Sequence, residues 1–137
     1  MLVVLVDPMP TILIAEDNAD LRCTLEILLL RLGFQVLTVC NGREAIEAVC
    51  TEKPALILMD MNMPVMDGWT ATCELKNDSN TCEVPIIALT AYTLPGDQAR
   101  CIAAGCDACL PKPVDLELLV AQIHSILATR PGTVNGY

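Results

Sequence analysis

Five short apolar runs alternate along the chain with five segments of helical periodicity, and this alternation leaves few folds open. The runs are 11–15, 34–39, 55–59, 84–89 and 108–110, with Pro85 near the start of the fourth, where a missing N–H is tolerated. Ala55-Leu56-Ile57-Leu58-Met59 has no polar position, which suits a strand buried on both faces. The first helix is expected over 18–32, with Leu21, Leu25, Leu28 and Leu32 on one stripe and Gly33 as its stop. Asn41 is suited to cap the second, with Glu44 as capping-box partner and Ala45, Ile46 and Val49 turned inward. A third follows Gly68 and carries Trp69 and Leu75; a fourth opens at Pro95 and Gly96 and stops at Gly105. Asp115 caps a fifth through Leu116, Leu119, Val120, Ile123 and Leu127. Strand and helix in regular alternation imply an α/β fold, a parallel sheet with helices on both faces and right-handed crossovers.

In such sheets, ligands bind beyond the C-terminal ends of the strands. Glu16 and Asp17 end the first run, Asp60 the third and Thr90 the fourth, while Lys112 follows the fifth. Three acids, a hydroxyl and a lysine at one sheet edge outline a metal and phosphoryl-transfer site. Mg²⁺ takes oxygen ligands and keeps several waters, which Glu16, Asp17 and Asp60 would serve directly or through water. Crowded carboxylates repel, so without a cation at least one resists ionisation. A carboxylate oxygen of Asp60 is then a nucleophile toward phosphorus, Lys112 a point charge for phosphoryl oxygens and Thr90 a donor to another. Alone, each has an ordinary explanation: an acidic helix start, a turn cap, a surface lysine. Their joint placement at consecutive strand ends carries the argument.

At 137 residues and 53% hydrophobic, the chain is expected to fold as one domain with a full core. The expected division is an N-terminal arm at 1–10, the folded unit at 11–129 and a flexible tail at 130–137. A net charge of -9 repels phosphate backbones, and 3% aromatic content leaves little for base stacking, so no nucleic-acid partner is expected. The apolar start, Met1 to Val6, lacks a basic flank and runs into Asp7, Pro8 and Pro10, fitting neither a signal peptide nor a membrane span. Eight cysteines fall mostly within periodic apolar segments and read as small buried hydrophobes of a reducing cytoplasm. Cys106 and Cys109 form a C-x-x-C spacing that runs from a turn into a strand and should point opposite ways, so no redox or metal role is expected of that pair. His124 is expected to be a partly exposed helix residue and not a phosphodonor.

With these residues in view, the chain resembles the receiver domains of bacterial two-component response regulators over about 11–129. The matching motifs are Ala15-Glu16-Asp17-Asn18, Leu58-Met59-Asp60-Met61-Asn62-Met63-Pro64, Met66-Asp67-Gly68, Ala88-Leu89-Thr90-Ala91 and Leu110-Pro111-Lys112-Pro113. The resemblance implies the flavodoxin-like order 2-1-3-4-5 with five flanking helices. It implies that Asp60 accepts phosphate from a histidine kinase or histidine-phosphotransfer protein. Asp17 and Asp60 would ligate Mg²⁺, Glu16 through water and Asn62 through its backbone carbonyl. Thr90 would be the switch hydroxyl, Lys112 the phosphate-pairing lysine, and the Lys112–Pro113 bond cis. The first helix would dock the phosphate donor, while the fourth helix and last strand would present output or dimerisation to an unnamed partner.

The expected function is a cytoplasmic, phosphorylation-controlled signalling switch, stand-alone in form, with no enzymatic role beyond its own phosphorylation and dephosphorylation. The alternative is a receiver segment of a hybrid histidine kinase serving as a relay station. An aspartyl-nucleophile phosphatase would want a second Asp at the position of Asn62, and a nucleotide- or flavin-binder would want a Gly- or Ser/Thr-rich loop where Glu16-Asp17-Asn18-Ala19-Asp20 stands. One position departs from the family: receivers often carry Tyr or Phe three residues before the lysine, and here that residue is Cys109. Tyr92, two residues after Thr90, is the candidate substitute or lid. Tyr92→Ala is therefore expected to alter the lifetime of the phosphorylated form, and an unchanged decay rate removes Tyr92 from the mechanism.

Overall fold

The computed structural model describes residues 9–91 and 96–129. Tyr92, Pro95, most of the expected N-terminal arm and the expected tail lie outside the described residues. The elements run β1 (Thr11–Ala15), α1 (Ala19–Arg31), β2 (Gln35–Val39), α2 (Gly42–Glu52), β3 (Leu56–Asp60), α3 (Gly68–Lys76), β4 (Ile86–Thr90), α4 (Asp97–Ala104), β5 (Ala108–Pro111) and α5 (Leu116–Ala128). The strands form one parallel sheet in the order β2-β1-β3-β4-β5. This is the expected α/β architecture.

Side chains alternate across each strand, so each face of the sheet carries its own core. On one side Leu13, Ile57, Met59, Ile86 and Ala88 pack with Ala45 and Val49 of α2, Ala71 and Leu75 of α3 and Cys101 of α4. On the other, Ile12, Ile14, Leu56, Leu58, Ile87 and Leu89 meet Leu25 and Leu29 of α1 and Leu119 and Ile123 of α5. Every residue of β3 and β4 is buried, as central strands under two helical layers must be.

Local chemistry sets the helix starts. Asn18, Asn41, Asp67 and Asp115 each accept a backbone N–H of the first turn from Leu21, Glu44, Thr70 and Leu118 respectively. Glu44 reaches back to the Cys40 N–H at 2.9 Å, one residue before the cap, a shifted form of the expected capping box. The stripe of α1 also differs from expectation: Leu25 and Leu29 are buried, while Leu32 is its exposed C-cap. β3 and β4 each end one residue later than the apolar runs suggested, which makes Asp60 and Thr90 the last residues of their strands.

The cysteines are a correction. Cys23, Cys40, Cys50 and Cys73 are exposed, Cys82 is half-buried, and Cys106 is buried and free. Each helical residue turns about 100°, so Cys23, Cys50 and Cys73, one or two places from buried Leu25, Val49 and Leu75, face outward. Cys101 and Cys109 are joined as a disulfide between α4 and β5. Cys109 therefore faces α4, and, against expectation, it packs on the same face of the sheet as Cys106: Cys106 lies before β5 begins, so alternation along the strand does not set the two apart.

The loop after β3 holds the strained backbone. Val65 has φ 68°, and the Met66 N–H closes onto the Pro64 carbonyl at 2.7 Å, a γ-turn around a β-branched residue. The Val65 side chain is 79% exposed and contributes little packing. Val65→Gly should therefore stabilise the fold by about 1 kcal/mol through relief of the left-handed strain. Urea unfolding will measure this, and a loss of stability would show that the turn is not strained.

Candidate functional site

The C-terminal edge of the sheet brings four expected side chains together. Carboxylate oxygens of Glu16, Asp17 and Asp60 all lie within 4.8 Å of one another. Lys112 Nζ stands 3.0 Å from Glu16 Oε1 and 3.3 Å from Asp60 Oδ1. Glu16 is 0% exposed and Asp60 2%, whereas Asp17 is exposed at the mouth of the cluster.

Each group is held by backbone. The Asn18 N–H donates to Glu16 Oε2 at 3.1 Å, and Arg22 Nη1 donates to the carbonyl of Glu16 at 2.9 Å and more weakly to that of Asp17. The Asn62 N–H donates to Asp60 Oδ1 at 3.0 Å. The Lys112 N–H donates to the Thr90 carbonyl at 2.8 Å, extending the β4–β5 ladder past Pro111 and setting lysine and threonine side by side. The Thr90 residue is 3% exposed. The Lys112–Pro113 peptide bond is cis.

Some residues that shape this edge were not singled out from sequence. Arg22 pins the acidic turn from one helical turn away, and its only signal is its distance from Asn18. Gly68 packs the start of α3 against the Asp60 backbone: its N–H donates to the Met61 carbonyl at 3.1 Å, and an added Cβ would collide with the Asp60 carbonyl. Gly68 was legible as a helix start, but its contact with Asp60 is tertiary. Of the remaining expectations, Cys109 is engaged with Cys101, His124 is exposed on α5 near Phe34, and Tyr92 lies outside the described residues.

Three carboxylates against one ammonium leave the edge strongly negative. Burying unbalanced carboxylates is costly, and the donor set is hard oxygen throughout, so the residues present fit a hard divalent cation. Asp60 shows the strain. Burial lifts its pKa from 3.8 to about 7; the Asn62 N–H opposes this, Glu16 adds to it by charge and hydrogen bonding, and Lys112 opposes it. Crowding of acids was expected to hold a proton here, but desolvation is the larger cause. Burial would lower the Lys112 pKa, yet its pairing with Glu16 and Asp60 wins and raises it, so the lysine stays charged.

A folded-state pKa above the unfolded value fixes the sign of the pH dependence. The Asp60 contribution to stability is present in full below about 3.8 and is lost as pH rises through about 7. In chelator, the wild-type chain should lose stability relative to Asp60→Asn across that window, and Mg²⁺ should restore more of it at about pH 8 than at about pH 5. Paired urea titrations of the two chains measure the difference; parallel pH profiles would show that Asp60 does not titrate there.

Comparison with known proteins agrees with this geometry. The family model described as "Response regulator receiver domain" matches residues 12–124. The polar-differentiation response regulator DivK of Brucella anthropi is 32% identical over 117 residues, covering 85% of this chain and 95% of that protein. The transcriptional regulatory protein PrrA of Mycobacterium tuberculosis is 35% identical over 124 residues, 90% of this chain but 52% of its own length, so this chain spans about half of that relative. Among solved structures, the receiver domain of the sensor histidine kinase PA1611 of Pseudomonas aeruginosa, with a magnesium ion in its active-site cleft, superposes with a TM-score of 0.78 at 37% identity, covering 85% of this chain and 96% of that one. The chain belongs to the response regulator receiver domain family, the phosphorylation-controlled switches of two-component signalling.

Proposed function

We propose that Asp60 is the phosphoacceptor of this receiver and that residues 11–129 work as its switching unit. The observation that carries the reading is the Asp60 carboxylate itself, buried at a strand end and held through one oxygen by the Asn62 N–H and Lys112. With Oδ1 held, attack on phosphorus falls to Oδ2. The new bond is O–P; the bond that breaks joins phosphorus to the donor's imidazole nitrogen, which keeps the electron pair. Hydrolysis reverses the state when water attacks phosphorus and the carboxylate leaves. The chain's own contribution is positioning and charge neutralisation.

Lys112 is placed to exchange part of its pairing with Asp60 for the phosphoryl oxygens, remaining anchored on Glu16 at 3.0 Å. Asp17, Asp60 and the Asn62 carbonyl would hold Mg²⁺, and Glu16, whose two oxygens face Lys112 and the Asn18 N–H, would act through water. Bound Mg²⁺ would neutralise charge on the incoming phosphoryl group. Thr90, beside Lys112, would donate its hydroxyl to a phosphoryl oxygen and draw the following segment with it. Tyr92 would cover the phosphate, and Cys109 occupies the strand position that carries an aromatic in many relatives.

The donor in this reading is a histidine kinase or histidine-phosphotransfer protein, and the site of action is the cytoplasm. No described helix is long and apolar enough to cross a membrane. A second reading, a receiver segment of a hybrid kinase passing phosphate onward, draws support from the likeness to the receiver of a sensor histidine kinase. The two differ in whether phosphate moves from Asp60 to a histidine partner.

Incubation with acetyl phosphate and Mg²⁺ should add one phosphoryl group by intact mass. The adduct should vanish in Asp60→Asn and in chelator. A wild-type chain that binds Mg²⁺ but takes up no phosphoryl group from small donors or from phosphohistidine would remove Asp60 from this role.

A further inference from the structure

The disulfide between Cys101 and Cys109 is the feature that neither the fold nor the acceptor site uses. Its two halves sit on elements that flank the switch. Cys101 is wholly buried on α4, the helix that begins seven residues after Thr90. Cys109 is half-buried on β5, paired in register with Ala88 of β4 and three residues before Lys112. Their Cα atoms are 6.3 Å apart, inside the span that a disulfide bridges without backbone movement. The other six cysteines are free, and burial pushes the Cys106 thiol up to about 11, so the thiol nearest in sequence is a poor competitor.

We propose that Cys101 and Cys109 are a reversible redox-modification site that clamps α4 onto β5 and opposes the phosphorylated conformation. The argument rests on the reading of Asp60 and Thr90 given above. In that reading phosphorylation repositions α4 relative to β5, and the bond ties that helix to the strand that leads directly into Lys112. Because the bond forms in the arrangement seen here, oxidation favours this arrangement over any in which α4 has shifted.

The oxidant class is a peroxide. The half-buried Cys109 thiolate attacks one oxygen of hydrogen peroxide; the O–O bond breaks, giving a sulfenic acid and, after protonation, water. The Cys101 sulfur then attacks the sulfenic sulfur, forming the S–S bond and releasing a second water. Two thiols and one peroxide thus give one disulfide and two waters, and a dithiol reverses the step by exchange. A reporter is built in: the guanidinium of Arg100, next to Cys101, stacks on Trp69 of α3 at 3.9 Å from the ring centroid, and Trp69 is the single tryptophan of the chain.

The test uses the whole chain, treated with peroxide or with dithiothreitol and then given acetyl phosphate and Mg²⁺. Peroxide should remove two hydrogens from the peptide spanning Cys101 and Cys109, in wild type and in Cys106→Ser alike. The oxidised chain should gain its phosphoryl group about tenfold more slowly than the reduced one, and the Trp69 fluorescence change that accompanies phosphorylation should disappear. In Cys101→Ala, and independently in Cys109→Ala, uptake should be the same with and without peroxide. Equal rates and equal fluorescence changes in the two wild-type states overturn the coupling, as does redox sensitivity that persists in both variants. Failure to lose the two hydrogens overturns the modification site. No phosphoryl uptake even by the reduced chain overturns the acceptor reading, and the coupling with it.

Discussion

The Lys112 ammonium, 3.0 Å from Glu16 and 3.3 Å from Asp60, is what allows two carboxylates to stay buried at one edge of the sheet. A carboxylate desolvated without a partner would be neutral or would unfold its surroundings; losing one member of such a pair typically costs about 3–5 kcal/mol. The three residues come from the ends of β1 and β3 and from just beyond β5. One lysine therefore ties the end of β5 to two strands that no hydrogen-bond ladder connects to it directly, β3 two positions away and β1 three. Its compensation is incomplete. The Asp60 pKa is still raised, and the exposed Asp17 adds charge at the mouth of the same cluster. An edge left negative and only partly relieved is suited to a cation and to the phosphoryl group that a cation can accompany.

The surroundings of Asp60 are rigid on one side. The γ-turn at Val65, the packing of Gly68 on the Asp60 backbone and the Asn62 N–H fix the β3–α3 connection, so the Asp60 carboxylate is preorganised. On the other side, α4 lies between β4 and β5 in the chain, and its main contacts are with α3 and β5. A receiver needs both: a fixed acceptor and a neighbouring element with two arrangements. The Cys101–Cys109 bond lies in that second region, which is where a covalent tie has most leverage on switching and least on phosphoryl chemistry.

How much was legible varied with the range of the interaction that decides it. Strand and helix identities were readable because period, capping residues and Gly stops are local. The bounds slipped where a neighbour decides: β3 runs on to Asp60 and β4 to Thr90 because each pairs with an adjacent strand to its end. The stripe of α1 kept Leu25 but took Leu29 in place of Leu28 and Leu32, because the sheet beneath selects among several leucines that local spacing treats alike. Arg22 and Gly68 were invisible as site residues because their contacts are with backbone atoms of other elements.

The sequence by itself determined the β-α alternation, the α/β class and the set of polar residues at strand ends, since each depends on spacing along the chain. Only the tertiary structure decided that Lys112 bridges two buried acids, that desolvation more than crowding lifts the Asp60 pKa, and that Cys109 meets Cys101. Those outcomes depend on distances across the sheet edge and between α4 and β5, which exist only once the layers have packed.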